Sequence, residues 1–185
     1  MRLDRILFID IETVPEYKNY SELPEKRKYF WARRARLILK KPVEDLSNDE
    51  LQSTYFERSG IYAEFAKIVC ISAGYFSSKK GEIEEFRTTS LVSDNEEEIL
   101  IQFKDLLDKY FNNPNVHNIC GHNIREFDVP VICRRMLIHK INFPKILEIR
   151  GKKPWEVQHL IDTMDLWKFG DRKSYTSLDL LAHVF

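Results

Sequence analysis

The stretch ILFIDIET, residues 6–13, sets the fold of this chain and raises its first chemical question. Its four consecutive apolar residues predict a strand over residues 5–11 that is covered on both faces, as central strands of α/β sheets are. Asp10 and Glu12 come at the end of this run, and alternate side chains of a strand point to the same face. The two acids are therefore predicted to be neighbours. They form either part of a site for a divalent cation or only the polar end of a strand.

The remaining sequence predicts strands and helices in an order typical of an α/β domain. Residues 15–60 are charged and aromatic and predict a helical insertion, with one helix ending before Pro42 and a second capped by Ser47 and Glu50. The elements predicted after it are strands at 66–76 and 82–88 joined by a turn at 77–81, a helix at 94–111, a strand at 115–123, a helix at 128–139, a short strand within 159–167, and a helix at 176–185, capped by Thr176 or Ser177, that buries Leu178, Leu181, Ala182 and Phe185. This order predicts a three-layer α/β fold with a mixed central sheet and helices on both faces.

Composition places the chain among ordinary globular domains. Its 185 residues, 43% of them hydrophobic, suffice for one domain with a full core. Lys and Arg number 29, as do Asp and Glu, so the overall charge favours no partner class. The sequence shows no signal peptide and no apolar run approaching about 18 residues. Three cysteines without a C-x-x-C motif suit a reducing compartment, and we expect a cytoplasmic protein with no membrane partner.

One cluster of potential zinc ligands occurs in HNICGH, which brings His117, Cys120 and His122 close together in sequence. Zinc sites usually draw their ligands from two separated pairs. On a strand, His117 and Cys120 would also face opposite sides. We therefore expect no zinc site here.

A second chemical motif lies in GHNIREFDVPVICRR, residues 121–135, where a strand ends and a helix begins. Asp128 opens the helix, with Pro130 in its first turn, and an ordinary N-cap would explain this acid. A cap does not explain Asn123 and Phe127 beside the same turn. An aromatic ring next to a carboxylate suits stacking against a nucleobase.

Taken together, FIDIET and HNIREFDVPVICRR resemble the first two motifs of the DEDD-type 3′–5′ exonucleases. The resemblance is strongest to the proofreading-type exonuclease domain of family-B DNA polymerases and its stand-alone relatives. Their N-x-x-x-F-D-x-P pattern matches Asn123, Phe127, Asp128 and Pro130. The stretches AEFAKIVCISAGYF and IDTMDLWKFG...SLDLLAHVF also resemble segments of that family. The resemblance implies a ribonuclease H-like fold over most of the chain, residues 15–60 excepted.

The resemblance also implies two-metal hydrolysis with two Mg²⁺ or Mn²⁺ ions. Asp10 would bridge both ions, Glu12 would help to bind the ion that activates water, and Asp128 would hold the second ion. Ile11 and Thr13 would lie against the terminal nucleotide.

Substrate and partner follow from the same resemblance. Asn123 and Phe127 would position the strand. Single-stranded DNA, with RNA as an alternative, would be degraded from its 3′ end to nucleoside 5′-monophosphates. A DNA polymerase or a DNA repair complex would be the partner.

The fourth acid of this family is not clear in the sequence. Tyr175 and Asp179, in YTSLD, have the Y-x-x-x-D spacing of the tyrosine subclass, but only 51 residues separate Asp128 from Asp179. Asp179 is more simply a first-turn acid of the last helix. We expect the chain, as one exonuclease-like domain over 1–185, to lack its C-terminal part with the third motif and to be weakly active.

Three further features leave alternatives open. Residues 26–41 carry eight basic side chains and no acid, interleaved with Tyr29, Phe30 and Trp31; they form either a solvated helix with inward aromatics or a surface for single strands. Asp162 and Asp165 either approach the metal site or cap local structure. The alternative to an exonuclease is a non-catalytic nucleic-acid-binding or polymerase-associated domain with an incomplete metal site.

Overall fold

The computed structural model describes residues 2–79, 82–171 and 175–185, and the chain divides into two compact units. The first unit comprises Met1–Glu12 with Val69–Phe185, and the second comprises Thr13–Ile68. The strands are β1 (Ile6–Pro15), β2 (Ala66–Lys79), β3 (Glu82–Val92), β4 (Asn118–Gly121) and β5 (Leu160–Asp162). The helices are α1 (Glu25–Leu39), α2 (Asn48–Arg58), α3 (Glu96–Leu106), α4 (Asp128–Ile138), α5 (Thr163–Lys168) and α6 (Leu178–Val184).

The five strands form one mixed sheet in the order β3-β2-β1-β4-β5. β1 pairs with β4 in parallel, with Ile6 opposite Asn118 and Phe8 opposite Cys120, and β4 pairs with β5 in parallel. β2 and β3 form an antiparallel hairpin. Helices lie on both sides of the sheet, which confirms the predicted α/β fold of the ribonuclease H-like kind.

The apolar run of β1 forms the centre of the core. Ile6, Leu7, Ile9 and Ile11 are each at most 5% exposed, so the beginning of this strand is covered on both faces. Within the first unit, α3 contributes Ile99 and Phe103 to the core, and α4 contributes Ile132. The sheet thus places the end of β4 beside the part of β1 that carries Asp10 and Glu12, and the candidate site lies there.

The second unit has a core of its own, built around the fully buried Trp31 of α1. The Trp31 ring lies edge-on to Tyr55 and Phe65, each with its centroid 5.1 Å away. Ser47 and Glu50 form the predicted capping box at the start of α2. The interpretation with all three aromatics packed inward is wrong, because Tyr29 and Phe30 are 56% and 49% exposed.

Several predicted elements differ in length. β1 continues through Pro15, so Asp10 and Glu12 lie within this strand and the prediction that they mark its end is wrong. β2 continues through Lys79 with a bulge between Ser77 and Ser78, and the rest of the predicted turn, Lys80 and Gly81, lies outside the described residues. The helix predicted at 94–111 passes into a π-helical turn at Leu107–Phe111.

The last helix, α6, buries only Leu181. Leu178, Ala182 and Phe185 are exposed, and Phe185 reaches 92% exposure, so the prediction that they are buried is wrong. Helical periodicity identifies side chains that share a face, but it does not supply an element that covers this face. Throughout the described ranges, every helix falls short of the length and apolar character that a membrane span requires.

Candidate active site

Asp10 and Glu12 share the exposed face of β1, as the strand alternation predicts. Both acids are exposed, and Ile11 between them points into the core with 5% of its surface exposed. The side chain of Ile11 therefore has a structural role in the core. Its predicted contact with a terminal nucleotide stays a prediction.

Asp128 is the first residue of α4, and it is almost completely buried, with 3% of its surface exposed. Its side chain does not cap its own helix, so the N-cap interpretation is wrong. Instead the Ile11 backbone N–H donates to Asp128 Oδ1 at 3.1 Å. This bond ties the start of α4 to β1 at the residue between the two exposed acids.

The electrostatics of this arrangement are unfavourable for two carboxylates alone. Burial, and then the charge of Asp10, raise the pKa of Asp128 to about 6. The N–H groups of Asp128 and Ile11 act in the opposite direction, since they donate to the ionised carboxylate. At neutral pH Asp128 is thus a buried anion beside a second anion. A divalent cation would remove this cost.

The loop between β4 and α4, residues 122–127, is held by Asp162 at the end of β5. Asp162 is 4% exposed, and it accepts the N–H groups of Asn123 at 2.8 Å and Arg125 at 3.1 Å. It also caps α5 by accepting the Met164 N–H at 3.0 Å. The capping interpretation of Asp162 is therefore confirmed. The same carboxylate also fixes the loop that precedes Asp128, a role that the sequence did not indicate.

Asn123 itself adopts a left-handed conformation with φ = 65°, which Asn tolerates better than most residues. Its carbonyl accepts the N–H of Phe127 at 3.0 Å, so it forms the turn that leads into α4. Both residues are half-buried. Their predicted contacts with a nucleic-acid strand stay predictions.

His122 anchors the same loop from its other side. Its Nδ1 lies 2.9 Å from Thr163 Oγ1, and its Nε2 lies 2.7 Å from the carbonyl oxygen of Thr176. Arg125 adds a bond from Nε to the carbonyl of Leu160 at 2.8 Å. These bonds fix the loop to β5, the neighbour of β4 in the sheet, and to Thr163 and Thr176.

Gly121 allows β4 and β1 to approach closely beside the acids. A Cβ at this position would lie 2.7 Å from the carbonyl oxygen of Ile9 and 2.1 Å from Cγ2 of Ile124. The first of these atoms belongs to the backbone and cannot rotate away. A side chain here would push β4 away from the strand that carries Asp10.

Asp10 also borders a hollow of about 620 Å³ in the first unit, a volume within the range of small-ligand pockets. Small residues of the β2–β3 hairpin form much of its wall. They are Ser72, Ala73, Gly74, Thr88, Thr89 and Ser90. A ligand in this hollow would therefore lie beside the Asp10 carboxylate.

Thr13, Tyr175 and Asp179 are the remaining residues that the sequence offered for the site. Thr13 belongs to the second unit, where its hydroxyl donates to the carbonyl of Gly60 at 2.8 Å. Tyr175 is 71% exposed, with its ring centroid 6.4 Å from that of His122. Asp179 is an exposed acid in the first turn of α6.

The donor set fits a hard divalent cation in its chemistry, because Asp10, Glu12 and Asp128 all offer carboxylate oxygens. The raised pKa of Asp128 is the observation that favours this interpretation. In the described part of the chain, however, no group of three or more His, Cys, Asp or Glu side chains is assembled so that it could hold a metal ion. Asp10 and Asp128 are the two acids of the candidate site whose charges interact in this structure.

A comparison with known protein families adds an independent finding. Residues 61–185 match the family model described as a predicted 3′–5′ exonuclease related to the exonuclease domain of PolB, and this match covers well over half of the chain. The chain belongs to this exonuclease family. The suspected relationship to DEDD-type exonucleases is confirmed, and a nuclease hydrolase with a nucleic-acid substrate is supported. No curated protein matches the chain.

The matched residues of this exonuclease family include Asn123, Phe127 and Asp128, whereas Asp10 and Glu12 precede them. The roles of the two β1 acids therefore rest on their geometry and on their resemblance to the first exonuclease motif.

Proposed function

We propose that this chain is a metal-dependent 3′–5′ exonuclease. It degrades single-stranded nucleic acid, with DNA as the expected substrate and RNA as the alternative, and it releases nucleoside 5′-monophosphates. The observation that carries the proposal is the buried Asp128 carboxylate, which accepts the Ile11 N–H and whose pKa is raised by burial and then by the charge of Asp10. Nothing in packing alone favours two acids here, since a buried anion beside another anion costs free energy.

Asp10, Glu12 and Asp128 would hold two Mg²⁺ or Mn²⁺ ions. Asp10 would be shared between them, Glu12 would join it at the ion next to the attacking water, and Asp128 would hold the other ion. When bound, such ions lower the pKa of water and stabilise the leaving oxygen. Water adds to the terminal phosphorus, the bond to the 3′ oxygen of the preceding nucleotide breaks, and that oxygen takes up a proton.

Substrate positioning is assigned to the residues around these acids. Asn123 and Phe127, on the loop fixed by Asp162, hold the strand, and Ile11 and Thr13 lie near the terminal nucleotide. The hollow beside Asp10 is the space into which the nucleotide would enter. A polymerase or a repair complex would supply the 3′ end.

A direct test uses a 5′-labelled single-stranded oligonucleotide with Mg²⁺ or Mn²⁺, and with EDTA as the metal-free control. We expect stepwise shortening from the 3′ end and release of mononucleotides, both lost in EDTA. Asp10→Ala should abolish release, while Asp165→Ala, at an exposed acid outside the proposed ligand set, should not. Hydrolysis that persists in Asp10→Ala would contradict the proposed metal site.

One observation favours a second function, a nucleic-acid-binding domain without catalysis. This is the lack of an assembled three-ligand group among the described residues. Binding of single-stranded DNA with no metal-dependent product release would support it. Under the exonuclease proposal, Asp10→Ala loses hydrolysis and keeps DNA binding nearly unchanged.

A further inference from the structure

α1 presents a continuous basic stripe on one of its faces. The spacing of its members places them within a single face of the helix: Lys26, Arg27, Phe30, Arg33, Arg34 and Leu37. Together with Arg36, Glu64 and Phe65 they line a hollow of about 650 Å³ in the second unit. Five of these residues are basic and one is acidic, although the net charge of the whole chain is zero.

The cations of this stripe are held in place. The guanidinium of Arg34 lies 4.5 Å from the centroid of the Tyr62 ring. That of Arg27 lies 5.6 Å from the centroid of the Tyr17 ring and forms an ion pair of 2.6 Å with Glu16, so Arg27 is already partly neutralised. Arg33 donates to the hydroxyl of Tyr29 at 2.9 Å. Such stacked, hydrogen-bonded guanidinium groups lose little freedom when they meet a phosphate.

An exposed aromatic ring lies in the middle of the stripe. Phe30 is 49% exposed, one turn from Lys26 and one turn from Arg33 and Arg34. Trp31 and Ala35 are the α1 residues buried in the core of this unit, and Phe30 is not part of that core. Packing therefore does not require an aromatic ring at residue 30. Cations that flank an exposed ring match the two chemical parts of a single nucleic-acid strand, its phosphates and its bases.

We propose that the α1 stripe is a binding surface for a single nucleic-acid strand, separate from the carboxylate site. Lys26 and Arg33 contact phosphates and Phe30 stacks on a base. The surface lies in residues 13–68, most of which precede the residues matched by the exonuclease family. This inference rests on the proposed function only in taking nucleic acid as the ligand.

Equilibrium binding of the full chain to a labelled oligothymidylate tests the proposal. The strand should have about 20 nucleotides, more than the roughly 4–16 that a single-strand site covers. EDTA in the buffer prevents metal-dependent hydrolysis, so the result does not depend on catalysis. The double variant Lys26→Glu with Arg33→Glu should bind about tenfold or more weakly, and its slope of log K against log salt should fall by roughly 1.4.

A matched control and a ring-removal variant separate a role of this surface from an effect of net charge alone. Lys145→Glu with Lys152→Glu makes the same change in net charge at exposed positions of the first unit, and it should bind as the natural chain does. Phe30→Leu keeps an apolar side chain but removes the ring, and it should weaken binding by about 5- to 100-fold, as Phe30→Ala should.

Equal losses in the two double variants would overturn the proposal, because only total charge would then matter. Unchanged binding in Lys26→Glu with Arg33→Glu would also overturn it, because the strand would then bind elsewhere on the chain. A failure of the proposed exonuclease activity would instead appear as no mononucleotide release with Mg²⁺ or Mn²⁺, while oligothymidylate binding still depended on the stripe.

Discussion

The carboxylate of Asp128 lies where ionisation costs the folded protein free energy. Its environment combines burial with the negative charge of Asp10, and only two N–H groups favour its charged form. A buried group with such a shifted pKa, close to an acid that borders a hollow, is a typical feature of functional sites. In the metal-free protein, the ionised Asp128 carboxylate therefore lowers the free energy of unfolding, and a bound cation would remove this destabilisation.

This cost predicts a pH dependence of stability in the metal-free protein. The pKa of Asp128 rises from 3.8 to about 6 on folding, so its contribution to stability is fully present below pH 3.8 and is lost as the pH rises through 6. The loss is about 3 kcal/mol. Asp128→Asn keeps the acceptor for Ile11 and should flatten this dependence in urea unfolding followed from about pH 3.5 to 8 in EDTA.

Added Mg²⁺ should stabilise the natural chain at pH 7.5 and leave Asp128→Asn almost unchanged. An equally steep pH dependence in both proteins would contradict the assignment of the cost to Asp128.

Asp162 provides the second prediction at this scale. Its two oxygens accept three backbone N–H groups, and an Asn side chain has only one oxygen to offer. Asp162→Asn should therefore lower the free energy of unfolding by about 1.5–3 kcal/mol. It should also reduce kcat, because the loop before Asp128 loses an anchor. Asp165→Asn, at a half-exposed acid with ion pairs of 3.6 and 3.7 Å, should change unfolding by less than about 1 kcal/mol.

At the scale of elements, the site depends on how closely the end of β4 approaches the middle of β1. The parallel pairing ends near Phe8 and Cys120, and Gly121 then passes the backbone of Ile9. A buried ion pair, Arg135 with Glu96, connects α4 to α3 and holds the helix that Asp128 begins. Strand spacing and helix position together determine the distance between the acids.

Gly121→Ala tests this dependence on strand spacing. Its Cβ would meet a backbone oxygen at 2.7 Å, and we expect a loss of about 1–3 kcal/mol in unfolding free energy together with a loss of activity. Gly74→Ala is the matched control for stability, because its Cβ would meet only the side chain of Phe86, which is 49% exposed and can rotate. Gly74 also lines the hollow beside Asp10, so nucleotide release is compared between Gly121→Ala and the natural chain. Equal losses of thermal stability in the two variants would show that strand approach at Gly121 has no special role.

The sequence predicted most elements because their signals are local. The apolar run of β1, the capping box of Ser47 and Glu50, and the periodicity of α3 are each contained in a few residues. The partner of Asp128 was beyond such reasoning, because an N-cap and a bond to β1 need the same residue type at the same position. The part of Asp162 in fixing a loop 39 residues away was equally invisible, since short spacing indicates only its cap on α5.

At the scale of the whole molecule, the chain contains two cores. The first unit packs around the sheet, and the second around Trp31, Tyr55 and Phe65. Each unit thus has apolar contacts that do not depend on those of the other. Damage to one core should accordingly remain within its own unit.

Trp31→Ala tests whether the cores are independent. Removing a fully buried Trp costs about 3–5 kcal/mol, enough to open a small core. Hydrogen exchange should show loss of protection in α1 and α2 and retained protection in α3 and α4. A matched change at the exposed Tyr29, to Ala, should leave both patterns intact. Loss of protection throughout the chain would show that the two units unfold together.

The bond from Ile11 to Asp128 has a consequence for the order of events during synthesis. It joins residues 117 positions apart, and β1 finds its neighbour β4 only after the hairpin and α3 have been made. Contacts this distant in sequence form late, since a long loop must close first. A nascent chain therefore carries Asp10 and Glu12 long before Asp128 is made, and Asp10 and Asp128 become neighbours only when α4 has left the ribosome.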